Sequence, residues 1–277
     1  MPALHARALV RASHPGPVVA VTVFATLLAA CAGNSVATCG LAAAAVLFGQ
    51  LTIGWTNDRV DADSDREVGR VVKPVAMGEV SLVSIDAAVA VALLATVAFS
   101  LALGWRAGLL HLGAVGCGWL YNLWLKRTWL SWLPYAVAFG ALPGIATLAL
   151  PHPVAPGWWV VAAAGLLGVA ANLTNALPDL EADRMVGAHG IATRLGARAS
   201  LRLAMLLLVA AALCILFGPA GRPTWTGWVG ATLTIGIVLG VWPFLRRRVN
   251  TSLPFYALIA LVPIDVLMIV GGGRRLR

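Results

Sequence analysis

Two stretches decide how this chain is read: Asn57-Asp58-Arg59-Val60-Asp61-Ala62-Asp63-Ser64-Asp65-Arg66-Glu67 and Asn175-Ala176-Leu177-Pro178-Asp179-Leu180-Glu181-Ala182-Asp183-Arg184. They hold eight of the eleven acidic residues. Each carries the pattern Asn-x3-Asp-x3-Asp, at 57/61/65 and 175/179/183. On a helix, positions i, i+4 and i+8 share one face. Carboxylates stacked in that way repel one another unless a cation sits among them, and an all-oxygen donor set suits Mg²⁺. The spacing therefore points to a site for a metal-bound diphosphate.

The surroundings of these stretches are apolar. Hydrophobic residues make up 60% of the chain, charged residues 11%, and the mean hydropathy is +0.87, against about 25% charged in soluble proteins. Apolar runs long enough to cross a hydrocarbon core of about 30 Å lie near 16–33, 36–56, 81–104, 107–124, 130–150, 157–177, 200–218, 225–244 and 253–271. The expected fold is all-α: one polytopic membrane helical bundle of about nine transmembrane helices, a single domain over residues 1–277.

The basic residues orient the bundle, because short cytoplasmic loops are rich in Lys and Arg. With the N-terminus inside, fifteen of the twenty fall on the cytoplasmic side: Arg7, Arg11, Arg59, Arg66, Arg70, Lys73, Lys126, Arg127, Arg184, Arg194, Arg198, Arg202 and Arg246 to Arg248. Arg106, Arg222, Arg274, Arg275 and Arg277 fall outside. Both acidic motifs are then cytoplasmic, and the expected location is a cell membrane, prokaryotic, with the first helix uncleaved. The net charge of +9 reads as topology and phosphate handling, and a nucleic-acid partner is excluded from the expectation. Cys31, Cys39, Cys117 and Cys214 have no metal-ligand spacing and read as small core residues.

A single acidic loop is as well explained by solvated surface charge; two with the same spacing are not. A calcium loop beginning at Asp61 needs Gly at its sixth position and Glu at its twelfth, where this chain has Arg66 and Val72. Both motifs stand at the C-terminal end of an apolar span, where the helix dipole favours cations, so a carboxylate cluster there requires metal and basic partners. Pro178 removes a backbone hydrogen bond one turn back, and a kink there swings Asp179 and Asp183 toward the first motif.

These residues resemble the UbiA-type intramembrane prenyltransferases, whose signatures are N-D-x-x-D-x-x-x-D and D-x-x-x-D on a nine-helix bundle. The first is matched by Asn57, Asp58, Asp61 and Asp65, with Lys73-Pro74-x-x-x-Gly78 similar to the family's Arg-Pro-x-x-x-Gly tail. The second is matched by Asp179 and Asp183, followed by Gly187 and Arg194-Leu195-Gly196. Tyr121 to Arg127 resembles the family's Tyr-then-Lys stretch. Asn175 stands where many relatives have Asp, His189-Gly190 where a Lys-Thr pair is common, and Lys73 where Arg is usual, which loses bidentate phosphate geometry.

The resemblance implies Asp61, Asp65, Asp179 and Asp183 as catalytic residues that, with Asn57, hold Mg²⁺ bridging an isoprenyl diphosphate. It implies Asn57, Asp58, Arg66, Lys73, Tyr121, Lys126, Arg127, Asn175 and Arg194 as substrate-binding residues. The prenyl chain is expected between helices, open to the lipid bilayer, with Trp55, Tyr121 and Trp124 as candidate shields for a carbocation. His111 and His152 are expected on the far side as structural residues; His189 is on the motif side. Three functions compete. The first is transfer of the prenyl group to a lipophilic acceptor, aromatic or other, whose identity the sequence does not name. The second is UbiA-like terpene cyclisation without an acceptor. The third is ion or phosphate transport, disfavoured because transporters bind near the midplane. The helical face makes a prediction: Asp61→Ala or Asp183→Ala abolishes turnover, measured as diphosphate release, whereas Asp63→Ala, off that face, leaves most of it.

Overall fold

The computed structural model describes residues 2–67, 73–185, 187–271 and 276. Arg70, Val72, Arg274, Arg275 and Arg277 lie outside the described residues. The elements are α1 (Pro2–Ala12), α2 (Pro15–Ala32), α3 (Val36–Glu67), α4 (Leu82–Ala102), α5 (Trp105–Leu123), α6 (Trp132–Leu148), α7 (Trp158–Asn175), α8 (Leu180–Met185), α9 (Ile191–Leu195), α10 (Ala197–Phe217), α11 (Trp225–Leu245) and α12 (Leu253–Gly271). No strand occurs among the described residues.

Nine of these helices, 17 to 32 residues long, stand at the nine apolar runs read from the sequence. Six helical segments, 15–32, 36–67, 82–102, 158–185, 197–217 and 225–245, are long and apolar enough to cross a bilayer on length and composition. Their outer faces say the same: on α4 only Ile85, Ala92, Thr96 and Ser100 are buried, while Val83, Val91 and Leu94 point outward. A helix apolar on all sides is at home in a core or in lipid, and this one faces away from the core.

Successive long helices pack side by side, and α12 closes against α2 and α7, so the nine form a ring-like bundle. The main core gathers residues such as Leu28, Val46, Leu173 and Leu201. A smaller core joins Ala8 and Ala12 of α1 to Ala62, Val75, Val80 and Ile85, seating α1 over the loop after the first motif. Without a hydrophobic drive between helices in lipid, close approach depends on small residues. At Gly168 a Cβ would stand 2.4 Å from the Tyr135 carbonyl, and at Gly54 one would stand 2.2 Å from the Ser13 carbonyl. The second contact brings the turn between α1 and α2 onto α3. There His14, in the left-handed region at φ 56°, reaches Asp58.

One motif follows the sequence reading and the other departs from it. The first is helical to Glu67, as its spacing predicts, eleven residues beyond the apolar run that ends at 56. The second is not one helix: α7 ends at Asn175, Leu177–Asp179 forms a 3-10 turn with Pro178 in it, and α8 follows. Proline's missing N–H is the reason the ladder breaks there.

The Gly54 contact gives a test of packing. Gly54→Ala is expected to cost about 1–3 kcal/mol through overpacking and to lower the thermal midpoint in detergent. Gly40→Ala, on the same helix with nothing within 4 Å of its Cβ, leaves the midpoint level or raised.

Candidate active site

One face of α3, at Val46, Gln50, Ile53, Gly54, Asn57, Asp61, Ser64 and Asp65, lines a cavity of about 280 Å³. The face is the 3.6-residue stripe that the motif spacing predicts. From α5 and the turn after it come His111, Ala114, Val115, Gly118, Tyr121, Asn122, Lys126 and Arg127; from α6, Tyr135 and Phe139. The second motif supplies Asn175, Asp179 and Asp183 to the same cavity. Residues more than a hundred positions apart in sequence thus share one space.

The first motif closes around a lysine. Lys73 Nζ lies 3.3 Å from Asp58 Oδ1, 3.8 Å from Asp61 Oδ2 and 3.1 Å from Asp65 Oδ2, and it donates to Asn57 Oδ1 at 3.2 Å. Burial opposes the ammonium charge, but the three carboxylates outweigh it and hold Lys73 above its ordinary value. Lys126 pairs with the other oxygen of Asp61. Here burial prevails over the pull of Asp61, and with Lys73 and Arg127 nearby the ammonium is pushed below its ordinary value. Asn57 donates to Asn122 Oδ1 at 3.2 Å, and the buried Asn122 donates to Ile53 O at 2.7 Å, which fixes the orientation of both amides. Across the cavity, Asn175 donates to the Tyr135 hydroxyl at 3.5 Å, and Tyr135 meets Tyr121 edge to face with centroids 5.0 Å apart.

Several expected residues lie elsewhere. Asp58 does not line the cavity: it is buried behind Asn57 and accepts from His14 Nε2 at 3.1 Å while facing Lys73. Arg66 turns outward to Asp63 and to the carbonyls of Val75 and Ala76, tying the helix end to the following loop. Arg194 is exposed and donates to the His189 carbonyl; His189 is exposed and off the cavity. Trp55 donates to Leu9 O at 2.9 Å and anchors α1, and Trp124 is exposed. His111, expected to be remote from the site, lines it. Tyr135, Phe139, Gln50 and His14 carry no local signal, since each sits in or beside an apolar run without a motif, and Asn122 lies inside the Tyr121 to Arg127 stretch without a role of its own there.

Among the described residues no three of His, Cys, Asp and Glu come together as a ready-made metal cluster. The donor set still fits a hard divalent cation. Mg²⁺ takes one or two carboxylates and completes its shell with water and substrate phosphate, in contrast to all-protein cages. The acidic wall offers carboxylates of that kind, with Lys73 and Lys126 beside them.

The fold has solved counterparts. A UbiA homologue from Archaeoglobus fulgidus bound to GPP and Mg²⁺ is 19% identical, with a TM-score of 0.73 over 96% of this chain and 98% of that one. The apo UbiA homologue from Aeropyrum pernix K1 is 22% identical, with a TM-score of 0.74 over 92% and 98%. A structure concerned with digeranylgeranylglyceryl phosphate synthase is 16% identical, with a TM-score of 0.68 over 98% and 99%. At these identities the likeness establishes the fold. No curated protein sequence is significantly similar to the chain. The family profile described as the UbiA prenyltransferase family matches residues 2–262, and the chain accordingly belongs to that family.

Proposed function

We propose that this integral membrane protein is a Mg²⁺-dependent prenyltransferase, a single domain that moves a prenyl group from an isoprenyl diphosphate to a membrane-associated acceptor, aromatic or other. The observation that carries the reading is the one cavity lined by Asp61, Asp65, Asp179 and Asp183 together with Lys73, Lys126 and Arg127. Structures of the Archaeoglobus fulgidus homologue are described as bound to GPP with Mg²⁺ and to DMAPP with Mg²⁺, which supports the same ligand pair here.

Asn57, Asp61, Asp65, Asp179 and Asp183 would hold the metal, which would supply positive charge against the departing diphosphate. Lys73, Lys126 and Arg127 take the remaining phosphate oxygens. Asp58 and His14 position Lys73 from behind, and Arg66 and Arg194 serve the loops. Tyr121, Tyr135 and Phe139 present aromatic faces and edges where an allylic cation forms. All nine long helices cross the bilayer with the N-terminus and both motifs on the cytoplasmic side.

Purified protein given geranyl, farnesyl or geranylgeranyl diphosphate with Mg²⁺ is expected to release diphosphate slowly, with prenyl alcohol as the organic product, and to form a prenylated product once membrane extract supplies an acceptor. EDTA stops release and added Mg²⁺ restores it; undiminished turnover in chelator rejects the metal site. Rapid formation of a cyclic hydrocarbon without acceptor converts the assignment to a terpene cyclase. For orientation, single cysteines at Asp63 and Gly221 in a cysteine-free background label from opposite faces of the membrane. Labelling from one face contradicts the crossing count.

A further inference from the structure

We infer that the paired ends of α10 and α11 form a binding site for the phosphate of an anionic glycerophospholipid, on the outside of the bundle and apart from the motif cavity. Between Asp183 and Asp265 the chain has eight arginines and no acidic residue. Five of them, Arg198, Arg202, Arg246, Arg247 and Arg248, are exposed, and none lines the cavity. Among the described residues these five have neither an ion pair nor a side-chain hydrogen bond. Arginines around the first motif do have partners: Arg11 pairs with Glu79, Arg59 with Asp86 and Arg66 with Asp63. Uncompensated positive charge is thus gathered in one place.

The packing of α10 against α11 fixes how these arginines stand. At one end Phe217 meets Trp228 edge to face with centroids 5.6 Å apart, and a Cβ on Gly227 would lie 3.0 Å from the Leu216 side chain. At the other end the Arg202 guanidinium lies 5.9 Å from the centre of the Trp242 ring. The two helices are therefore antiparallel and keep one register along their length. Arg198, one turn before Arg202, is level with Arg246, one turn after Trp242. Two guanidinium groups level on adjacent helices, with no carboxylate between them, repel one another, and a phosphate shared by both removes the repulsion. Arginine's planar fork matches phosphate oxygens. Arg247 and Arg248 line an adjoining recess with Asn250 and Thr251, and Arg248 stacks over the Phe244 ring at 5.6 Å.

The side chains beneath point to a lipid as the source of that phosphate. Arg198 and Arg202 continue along one face of α10 into Leu206 and Leu213, an exposed apolar stripe on a helix long enough to cross a bilayer. Phe244 is likewise exposed at the end of α11. The arginines stand where this stripe meets the headgroup layer, with apolar surface below them for acyl chains. Basic residues at span ends also set orientation. Orientation alone does not require them to share one face, to stand level across two helices or to stack on aromatic rings, whereas basic pockets between spans suit anionic headgroups.

The test is native mass spectrometry of the full chain released from detergent, titrated with phosphatidylglycerol or with phosphatidylcholine of the same acyl chains. The wild type is expected to bind the first phosphatidylglycerol roughly tenfold more tightly, the scale of one or two arginines facing an anionic headgroup. Arg198→Gln combined with Arg246→Gln removes the preference. Lysine at both positions, which keeps the charge but loses the fork, weakens it. Arg11→Gln combined with Arg59→Gln, which takes the same charge from residues with acidic partners, leaves it unchanged. Equal binding of the two lipids by the wild type, a preference that survives the glutamine pair, or an equal loss in the Arg11 and Arg59 control overturns the inference. Displacement of bound phosphatidylglycerol by inorganic phosphate marks a free-anion site and overturns it as well.

Discussion

The arrangement depends on one cation, the Lys73 ammonium held among Asp58, Asp61 and Asp65. Three carboxylates on the last three turns of a helix repel one another and oppose the helix dipole. They persist because Lys73, arriving from the loop that follows, compensates all three, and Lys126 compensates Asp61 from the other side. Removing one member of such a buried group typically costs about 3–5 kcal/mol, because the remaining charge is left unpaired. The same pairs keep a strong acidic wall intact at the mouth of an apolar cavity. On the proposed reading, the oxygens of an entering diphosphate would compete for the lysines, and the carboxylates would then be available to a divalent cation. On that reading, the lysines that compensate the acids in the resting protein would also recognise the substrate.

The membrane sets how the device is held. Helices in lipid gain little from mutual apolar contact, so position comes from close backbone approach and from buried polar ties. Gly54 lets the turn at Ser13 and His14 settle on α3, directly below Asp58. Gly168 lets α7 sit against the α6 backbone at Tyr135, whose hydroxyl receives the Asn175 amide. The asparagine pair Asn57 and Asn122 ties α3 to α5. Each tie joins a residue at the cavity to a helix contact, so packing errors reach the site directly.

Much of this was legible in the sequence where the signal is local. The 57/61/65 stripe was readable because α3 stays helical through it, and Asp63, off the stripe, is exposed beside Arg66. Apolar runs placed the long helices, and Pro178 announced the break between Asn175 and Asp179. What periodicity does not encode is which faces of distant helices meet. Tyr135, Phe139 and Asn122 look like ordinary span residues until α5 and α6 are brought beside α3. Depth along the sequence places His111 on the far side from the motifs, and nothing in the sequence reports that the cavity extends down to it. Trp55 and Trp124 stand near the motifs along the chain, but helical geometry turns neighbouring residues about 100° apart, and both point away. Arg66 likewise adjoins Asp65 in sequence while facing the loop.

Because Lys73 and Lys126 already occupy the acidic wall, metal is expected to bind together with diphosphate and only weakly before it. Electron paramagnetic resonance of Mn²⁺, titrated into purified protein with and without a geranyl thiolodiphosphate that resists ionisation, measures this directly against protein-free controls. Weak uptake of Mn²⁺ by the protein alone is expected, with strong uptake when the diphosphate analogue is present. In Lys73→Met, uptake by the protein alone should rise. Tight Mn²⁺ binding in the absence of diphosphate, unchanged by Lys73→Met, would contradict it.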